Sequence, residues 1–436
     1  MPLEPTKKIL YTSFDEVPRP KGASTHIEAF ARTLGARFGD VWLVTPGPAD
    51  LPVSDFAPGV RQKVLGCPDD NPIGRARTFR AKLVAWLARA QIDFDVIHFR
   101  SIMEGWPLLD PQVRRGAKLV HEVNGFPSIE MKYHYRRITP GDALSAKLFE
   151  QELDCLDAAD RIMTVSDVNR QEIVSRGVAP DRVVVIRNGV DLERFPFRAM
   201  SPSSPGSSGS ASSSSTTSSS SPSSATSPPS LAPGEPLRLA YVGTLTIWQG
   251  IETLLEAVEL LSKQRPVRLR LLGAASPSRR RELDRVVRHL RIEESVEFLP
   301  SGDHEAVVRL LHDSHSSVVP LLAVDRNVRQ GCCPLKLLES FAAGCPVVAS
   351  DLPVVLELGR PDEHFLTARA GDARSLKNAL VRLTELPDCG AEMALRAYEH
   401  VRSQFTWTQA GEQLVAEYER LLSSVDATNR ACRAES

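Results

Sequence analysis

One pattern is written twice in this 436-residue chain, and it leaves few folds open. Near the N-terminus the β-rich run KKILYTSF passes through PRPKGAS into THIEAFARTLGARF, where Ile27, Phe30, Ala31, Leu34 and Phe38 recur at helical spacing. DVWLVTPG then returns as a strand, and Thr25 with Glu28 gives the helix start a capping-box spacing. After residue 236 the runs LRLAYVGTL, TIWQG, IETLLEAVELLSKQ and VRLRLLG repeat the same order. Strand, glycine-bearing turn, helix and strand make the βαβ unit of a doubly wound parallel sheet. Further strand-like runs extend both halves: FDVIHF, AKLVHEV, DRIMTVS and DRVVVIRNG in the first, SVEFLP, SSVVPLL and PVVASD in the second. The expected fold class is therefore α/β, with two Rossmann-like, doubly wound parallel-sheet domains facing a cleft. Ligands of such sheets bind beyond the carboxyl ends of the strands, where helix N-termini attract phosphate. Neither turn spells GxGxxG, so the glycines alone do not name a ligand.

The boundary between the halves is compositional. Ser supplies 18 of the 30 residues from 201 to 230, with almost nothing apolar to offset the entropy of ordering them. The expected organisation is a first domain over 1–198, a disordered Ser/Pro-rich linker over 199–235 and a second domain over 236–400. A C-terminal helix over 401–423 packs back toward the first domain, and a flexible tail covers 424–436.

Charge and cysteine content exclude several classes. A net charge of −1 leaves no overall footprint for nucleic acid. The N-terminus lacks an apolar signal core and no window approaches 18 uncharged apolar residues, so a cytoplasmic protein is expected. The basic helix at 75–90 could make a peripheral contact with the anionic inner face of a membrane, although a core-packed helix with a solvated basic face is the favoured reading. The seven cysteines show no zinc-ligand spacing, no Asp-x-Asp pair lies at the carboxyl end of a strand-like run to hold a divalent ion, and no GxSxG elbow or Walker loop is present.

The stretch RQGCCPLKLLESFAAGCP, residues 329–346, holds the most informative chemistry. Pro334 fits the first helical position and Gly344 the C-terminal stop. Lys336 then falls in the first turn, where a cation opposes the helix dipole unless an anion binds there. Glu339 shares its face, so the pair is either an intrahelical salt bridge or a phosphate and ribose site. His98 and His121 each end a strand-like run and so become candidates for the cleft.

Taken together, the phrases DAADRIMTVSDVNRQEIVSRGVAPDRVVVIRNGVDLERF, LRLAYVGTLTIWQGIETLLEAVELL, VEFLPSGDHEAVVRLLHDSHSSVVPLL and CCPLKLLESFAAGCPVVASDLPVVLEL resemble the retaining glycosyltransferases of family 4, group 1, whose architecture is GT-B. The resemblance implies transfer of a sugar from a nucleotide sugar to a hydroxyl of a glycan or lipid-linked acceptor, with retention and with no metal or other cofactor. By position it implies His121 near the reacting centre and Glu339 holding the ribose. It places the donor against Gly22, Gly243, Thr244, Gln249, Gly331, Cys332, Cys333 and Leu335, with His98, Asn124 and Lys132 as acceptor-side candidates. Three departures stand out: Gly331 replaces the first Glu of the family's E-x7-E motif, Thr244 and Gln249 replace its diphosphate-gripping Arg and Lys, and the first loop reads KGA. Lys336, with Arg326 or Arg329, is expected to take over the diphosphate, and Asp325 or Arg329 to stand in for the missing Glu. The departures also leave open a nucleotide-sugar-binding protein without turnover, or a GT-B enzyme that epimerises or hydrolyses the donor.

Overall fold

A computed structural model describes residues 7–19, 21–69, 71–134, 142–199, 231, 234–386 and 388–434, with side chains as far as 423. Nearly all of the expected linker, 200–230, lies outside the described residues.

Two sheets organise the chain. The first contains β1 (Lys7–Thr12), β2 (Gly39–Gly47), β3 (Ser54–Ala57), β4 (Val60–Gly66), β5 (Val96–Phe99), β6 (Lys118–Val123), β7 (Arg161–Thr164) and β8 (Val183–Val185). Their spatial order is β3-β4-β2-β1-β5-β6-β7-β8, every pairing parallel except β3 with β4. The second contains β9 (Leu237–Val242), β10 (Val267–Leu272), β11 (Val296–Leu299), β12 (Ser316–Val319), β13 (Val347–Ser350) and β14 (Leu366–Ala368). It is wholly parallel, in the order β11-β10-β9-β12-β13-β14. In each sheet the first strand lies inside, with the chain winding outward to both sides, and that reversal of direction opens a crevice at the carboxyl ends.

The helical runs fall where the apolar spacing placed them. The Gly22–Phe38 helix buries Ile27, Phe30, Ala31, Leu34 and Phe38, and Ile251–Ser262 buries Ile251, Leu254, Leu255, Val258 and Leu261. In the basic Pro72–Ala90 helix, Phe79, Leu83 and Trp86 belong to the first-domain core, so that apolar stripe is already covered. Arg80 donates to the Ile102 and Met103 carbonyls, and Lys82 pairs with Asp50 at 2.6 Å. Among the described residues no helix is long and apolar enough to cross a membrane.

The C-terminal helix begins later than expected and runs further. The Ala391–Gln404 helix ends in the second domain, the chain crosses at Phe405 and Thr406, and the last helix spans Trp407–Ala434, so the backbone from 424 to 434 is helical where a tail was expected. Ala410, Leu414, Tyr418 and Leu422 sit in the core built on the Gly22–Phe38 helix. Arg37 reaches Glu419 at 2.6 Å, and Arg161 reaches Glu417 at 2.6 Å. Leu414 is fully buried there, so Leu414→Ala is expected to lower the unfolding free energy by about 2–5 kcal/mol, read from urea denaturation followed by circular dichroism.

Candidate functional site

The crevice of the second domain is built around a lysine. β9 ends at Val242 and is followed by Gly243, whose φ of +122° is open to glycine but costly for other residues. A Cβ at Gly243 would lie 3.0 Å from the Lys336 amino group, so the absence of a side chain lets that amine approach the turn. Lys336 donates to the Tyr241 hydroxyl at 2.8 Å and to Gln249 Oε1 at 2.6 Å, and its nitrogen lies 4.1 Å from the centre of the Tyr241 ring. Tyr241 in turn donates to the Thr244 carbonyl at 2.7 Å. Gln249 thus supports the cation that its own position lacks.

Lys336 and Glu339 occupy the Leu335–Ala342 helix and are partly exposed. Burial pushes the Lys336 ammonium down to about 7, against the pull of its acidic surroundings. The Glu339 carboxyl is pushed up to about 7 by burial, with Lys336 opposing. Two groups poised near neutrality, beside a glycine turn at the carboxyl end of a parallel strand, suit a site that receives an anion. Cys333 is buried, and burial pushes its thiol up to about 12. Cys332, Cys333 and Cys345 are all free, and among the described residues no three His, Cys, Asp or Glu side chains converge as a metal set.

The two arginines proposed as helpers part company. Arg326 stays by the loop, with its guanidinium 5.6 Å from the Trp248 ring and its Nε 3.5 Å from Glu130. Arg329 turns outward to Glu172 of the first domain at 3.2 Å, with 55% of its side chain exposed. It is therefore placed for the seam between domains, not for a phosphate beside Lys336. Asp325 forms an ion pair with Lys132, so these two candidates, one per domain, satisfy each other.

Gly331 explains its own departure from E-x7-E. Its φ is +76°, and a Cβ there would come within 2.5 Å of Ser166 Oγ and 2.9 Å of the Asn169 amide. No glutamate fits a position where the backbone is left-handed and pressed against the other domain. Gln330, fully buried, reaches across that seam to the first domain: Oε1 accepts from the Phe126 amide at 3.0 Å, Nε2 donates to Glu130 at 2.6 Å, and its carbonyl accepts from Asn169 at 2.5 Å. Glu357 of the second domain accepts from the Asp167 and Val168 amides at 2.9 and 3.0 Å, capping the Asp167–Ser175 helix of the first. Gly22 meets Leu335 across the cleft, where an added Cβ would lie 2.9 Å from Leu335 Cδ1.

Both histidines lie away from the opening. His121 stacks on Phe99, its register partner on β5, at 4.5 Å and 25°, and burial pushes it down to about 3. His98 is fully buried, with Nδ1 2.7 Å from the Tyr418 hydroxyl of the last helix. The reason is strand alternation: neighbouring residues face opposite sides of the sheet, and helices cover both sides. Asn124, one residue beyond β6, does reach the carboxyl edge, where it is partly exposed and donates to Glu122. The sequence reading missed Glu122, Tyr241 and Gln330; a charged residue inside the apolar run KLVHEV was the available signal for the first.

A family model for Glycosyltransferase Family 4 matches residues 20–194, and one for Glycosyl transferases group 1 matches 236–386. The chain belongs to these glycosyltransferases. A D-inositol 3-phosphate glycosyltransferase of Mycolicibacterium smegmatis is 26% identical over 93% of this chain and 88% of its own length. A putative colanic acid biosynthesis glycosyltransferase of Salmonella typhimurium is 26% identical over 59% of this chain, and the match spans 56% of that relative. The fold is shared with sucrose-phosphate synthase of Thermosynechococcus elongatus, at TM-score 0.74 and 18% identity over 96% of this chain and 100% of that one. It is shared too with the starch synthase IV catalytic domain of Arabidopsis thaliana bound to ADP and acarbose, at TM-score 0.67 and 13% identity over 96% and 99%. The architecture of this glycosyltransferase is thus GT-B.

Two outcomes follow from the seam and the lysine. Gly331→Ala is expected to lose about 1 kcal/mol or more from the left-handed backbone, and Gly331→Glu to part the domains, seen as a lower unfolding midpoint and a larger radius of gyration in solution scattering. The ordinary pKa of lysine is 10.5, and in the folded protein Lys336 lies near 7. Between those values the unfolded chain binds more protons than the folded one, so this residue makes stability rise with pH across that window. Urea midpoints for Lys336→Met are expected to lack that rise.

Proposed function

We propose that this glycosyltransferase moves a sugar, with retention of anomeric configuration and without a metal, from a nucleotide sugar in the second domain to a hydroxyl of a glycan or lipid-linked acceptor in the first. The observation that carries the reading is the Lys336 amine, held over Tyr241 and against Gly243 with no carboxylate bonded to it among the described residues, one helical turn from Glu339. A diphosphate there would accept from Lys336, with Arg326 beside the same loop as the second cation. The Glu339 carboxylate, which makes no hydrogen bond or ion pair among the described residues, is placed to accept from ribose hydroxyls. Relatives and fold neighbours support the donor class: one neighbour is described in complex with UDP-glucose, another with ADP.

The chemistry needs little covalent help from the protein. In a retaining transfer without paired carboxylates the departing phosphate assists attack on the same face, and fixed positive groups stabilise the charge that develops on it. Lys336, once bonded to phosphate, has its charged form favoured and supplies that stabilisation. Closure of the seam through Gln330, Glu357 and Lys132 keeps bulk water from competing with the acceptor.

A thermal-shift panel of UDP, GDP and ADP sugars is expected to single out one base, with the same shift in the presence of EDTA. Charge-assisted hydrogen bonds contribute about 1.5–3 kcal/mol, so Lys336→Ala is expected to weaken the matching nucleoside diphosphate about 10- to 100-fold. Unchanged affinity in that variant would overturn the assignment, and loss of the shift on adding EDTA would overturn metal independence. Nucleotide released with a transferred product, and not with free sugar alone, separates transfer from hydrolysis or binding without turnover.

A further inference from the structure

The first domain encloses a carboxylate that the donor-site reading leaves unused. Glu122 follows His121 on β6 and therefore faces the opposite side of the sheet, where it is 1% exposed. The Tyr11 hydroxyl and Arg100 Nε each donate to it at 2.9 Å, and Asn124 donates as well. Two imidazole nitrogens, His26 Nε2 and His98 Nε2, lie 2.8 and 3.1 Å from its oxygens. Burial alone would raise this carboxyl; Arg100 and then His26 outweigh it and hold Glu122 well below the usual range. Isolated buried carboxylates are costly, and one held by three donors with two imidazole rings packed against it is a fixed reference point for the groups around it.

Two lines of contacts leave that point. The short one is Asn124, at the carboxyl edge of β6 on the first-domain wall of the cleft. The longer one crosses the domain boundary. His26 Nδ1 lies 2.7 Å from Asn188 Oδ1, and Asn188 Nδ2 donates to the Cys333 carbonyl at 2.9 Å. Because the Asn188 amide nitrogen serves Cys333, its oxygen accepts from His26 Nδ1, and the opposite ring nitrogen, Nε2, lies against Glu122. Cys333 belongs to the loop that leads into the Lys336 helix.

We propose that Glu122 is a positioning residue for the sugar half of the donor. One buried carboxylate sets the Asn124 amide on one wall of the cleft and, through His26 and Asn188, the Cys333 peptide on the other. The inference rests on the reading of the 332–336 segment as the donor site. It differs from a purely structural role in what it affects: the sugar lies against the loop that the relay orients, whereas Lys336 and Glu339 grip the nucleotide half.

Calorimetry with UDP and UDP-glucose, GDP and GDP-mannose, and ADP and ADP-glucose tests it. The wild type is expected to bind one such pair; binding to none of them would overturn the donor-site reading and this inference with it. For the pair that binds, Glu122→Gln is expected to weaken the nucleotide sugar about tenfold while the matching nucleoside diphosphate stays within about threefold. Asn188→Ala is expected to do the same, and the double variant to be no more than about threefold worse than the weaker single one, because both changes interrupt one path. Equal weakening of sugar and nucleoside diphosphate, no weakening of either, or independent multiplying effects would overturn the proposal while leaving the donor site intact. Should Glu122→Gln not fold, His26→Gln paired with Asn188→Ala puts the same comparison to the same relay.

Discussion

The seam at Gln330 and Gly331 is the constraint on which the arrangement of this protein depends. A backbone that must turn left-handed while pressing on Ser166 and Asn169 has room for no side chain, and the residue before it spends its whole amide on the facing domain. Once that contact is made, Glu357 meets the N-terminal amides of the Asp167–Ser175 helix and Lys132 meets Asp325. An apolar layer drawn from both domains, including Val165, Val168, Leu337 and Phe341, closes beneath them. The backbone at Gly331 is given over to holding the domains together.

The same substitution accounts for the charge distribution of the crevice. With Gly331, Thr244 and Gln249 supplying no charge, the partly exposed Lys336 amine stands beside the β9 turn, positioned by a tyrosine ring and two neutral oxygens. Such neighbours hold an ammonium in place without neutralising it, so its attraction is left for an incoming anion. A carboxylate in the place of Gln249 would have satisfied the lysine and emptied the site of its purpose.

Much of the fold was legible because βαβ units announce themselves locally: apolar runs for buried strands, 3.6-residue spacing for helices, glycine between them. The Ile27 to Phe38 stripe and the Ile251 to Leu261 stripe are both buried as their spacing implied. That Lys336 and Glu339 share one helix, with Lys336 in its first turn, was legible for a similar reason, from Pro334 before it and Gly344 after it. His98 and His121 misled because both end strand-like runs. Which face of a doubly covered strand points at a cleft is decided by register against Tyr11 and Phe99, and local sequence does not display it.

What the sequence by itself determined is the grammar: two parallel α/β domains, the family, the glycine turn after β9 and the helix that carries Lys336. Propensity, periodicity and turn chemistry are properties of short segments, so they survive in a string of letters. Only the tertiary structure decided that Arg329 serves Glu172, that Gly331 is sterically obligatory, and that Glu122 sits at the centre of a buried polar cluster joined to Cys333 through His26 and Asn188. Each of those facts is a contact between segments far apart in the chain, and burial, which fixes the cost of leaving a charge or a polar atom unpaired, exists only once those segments have met.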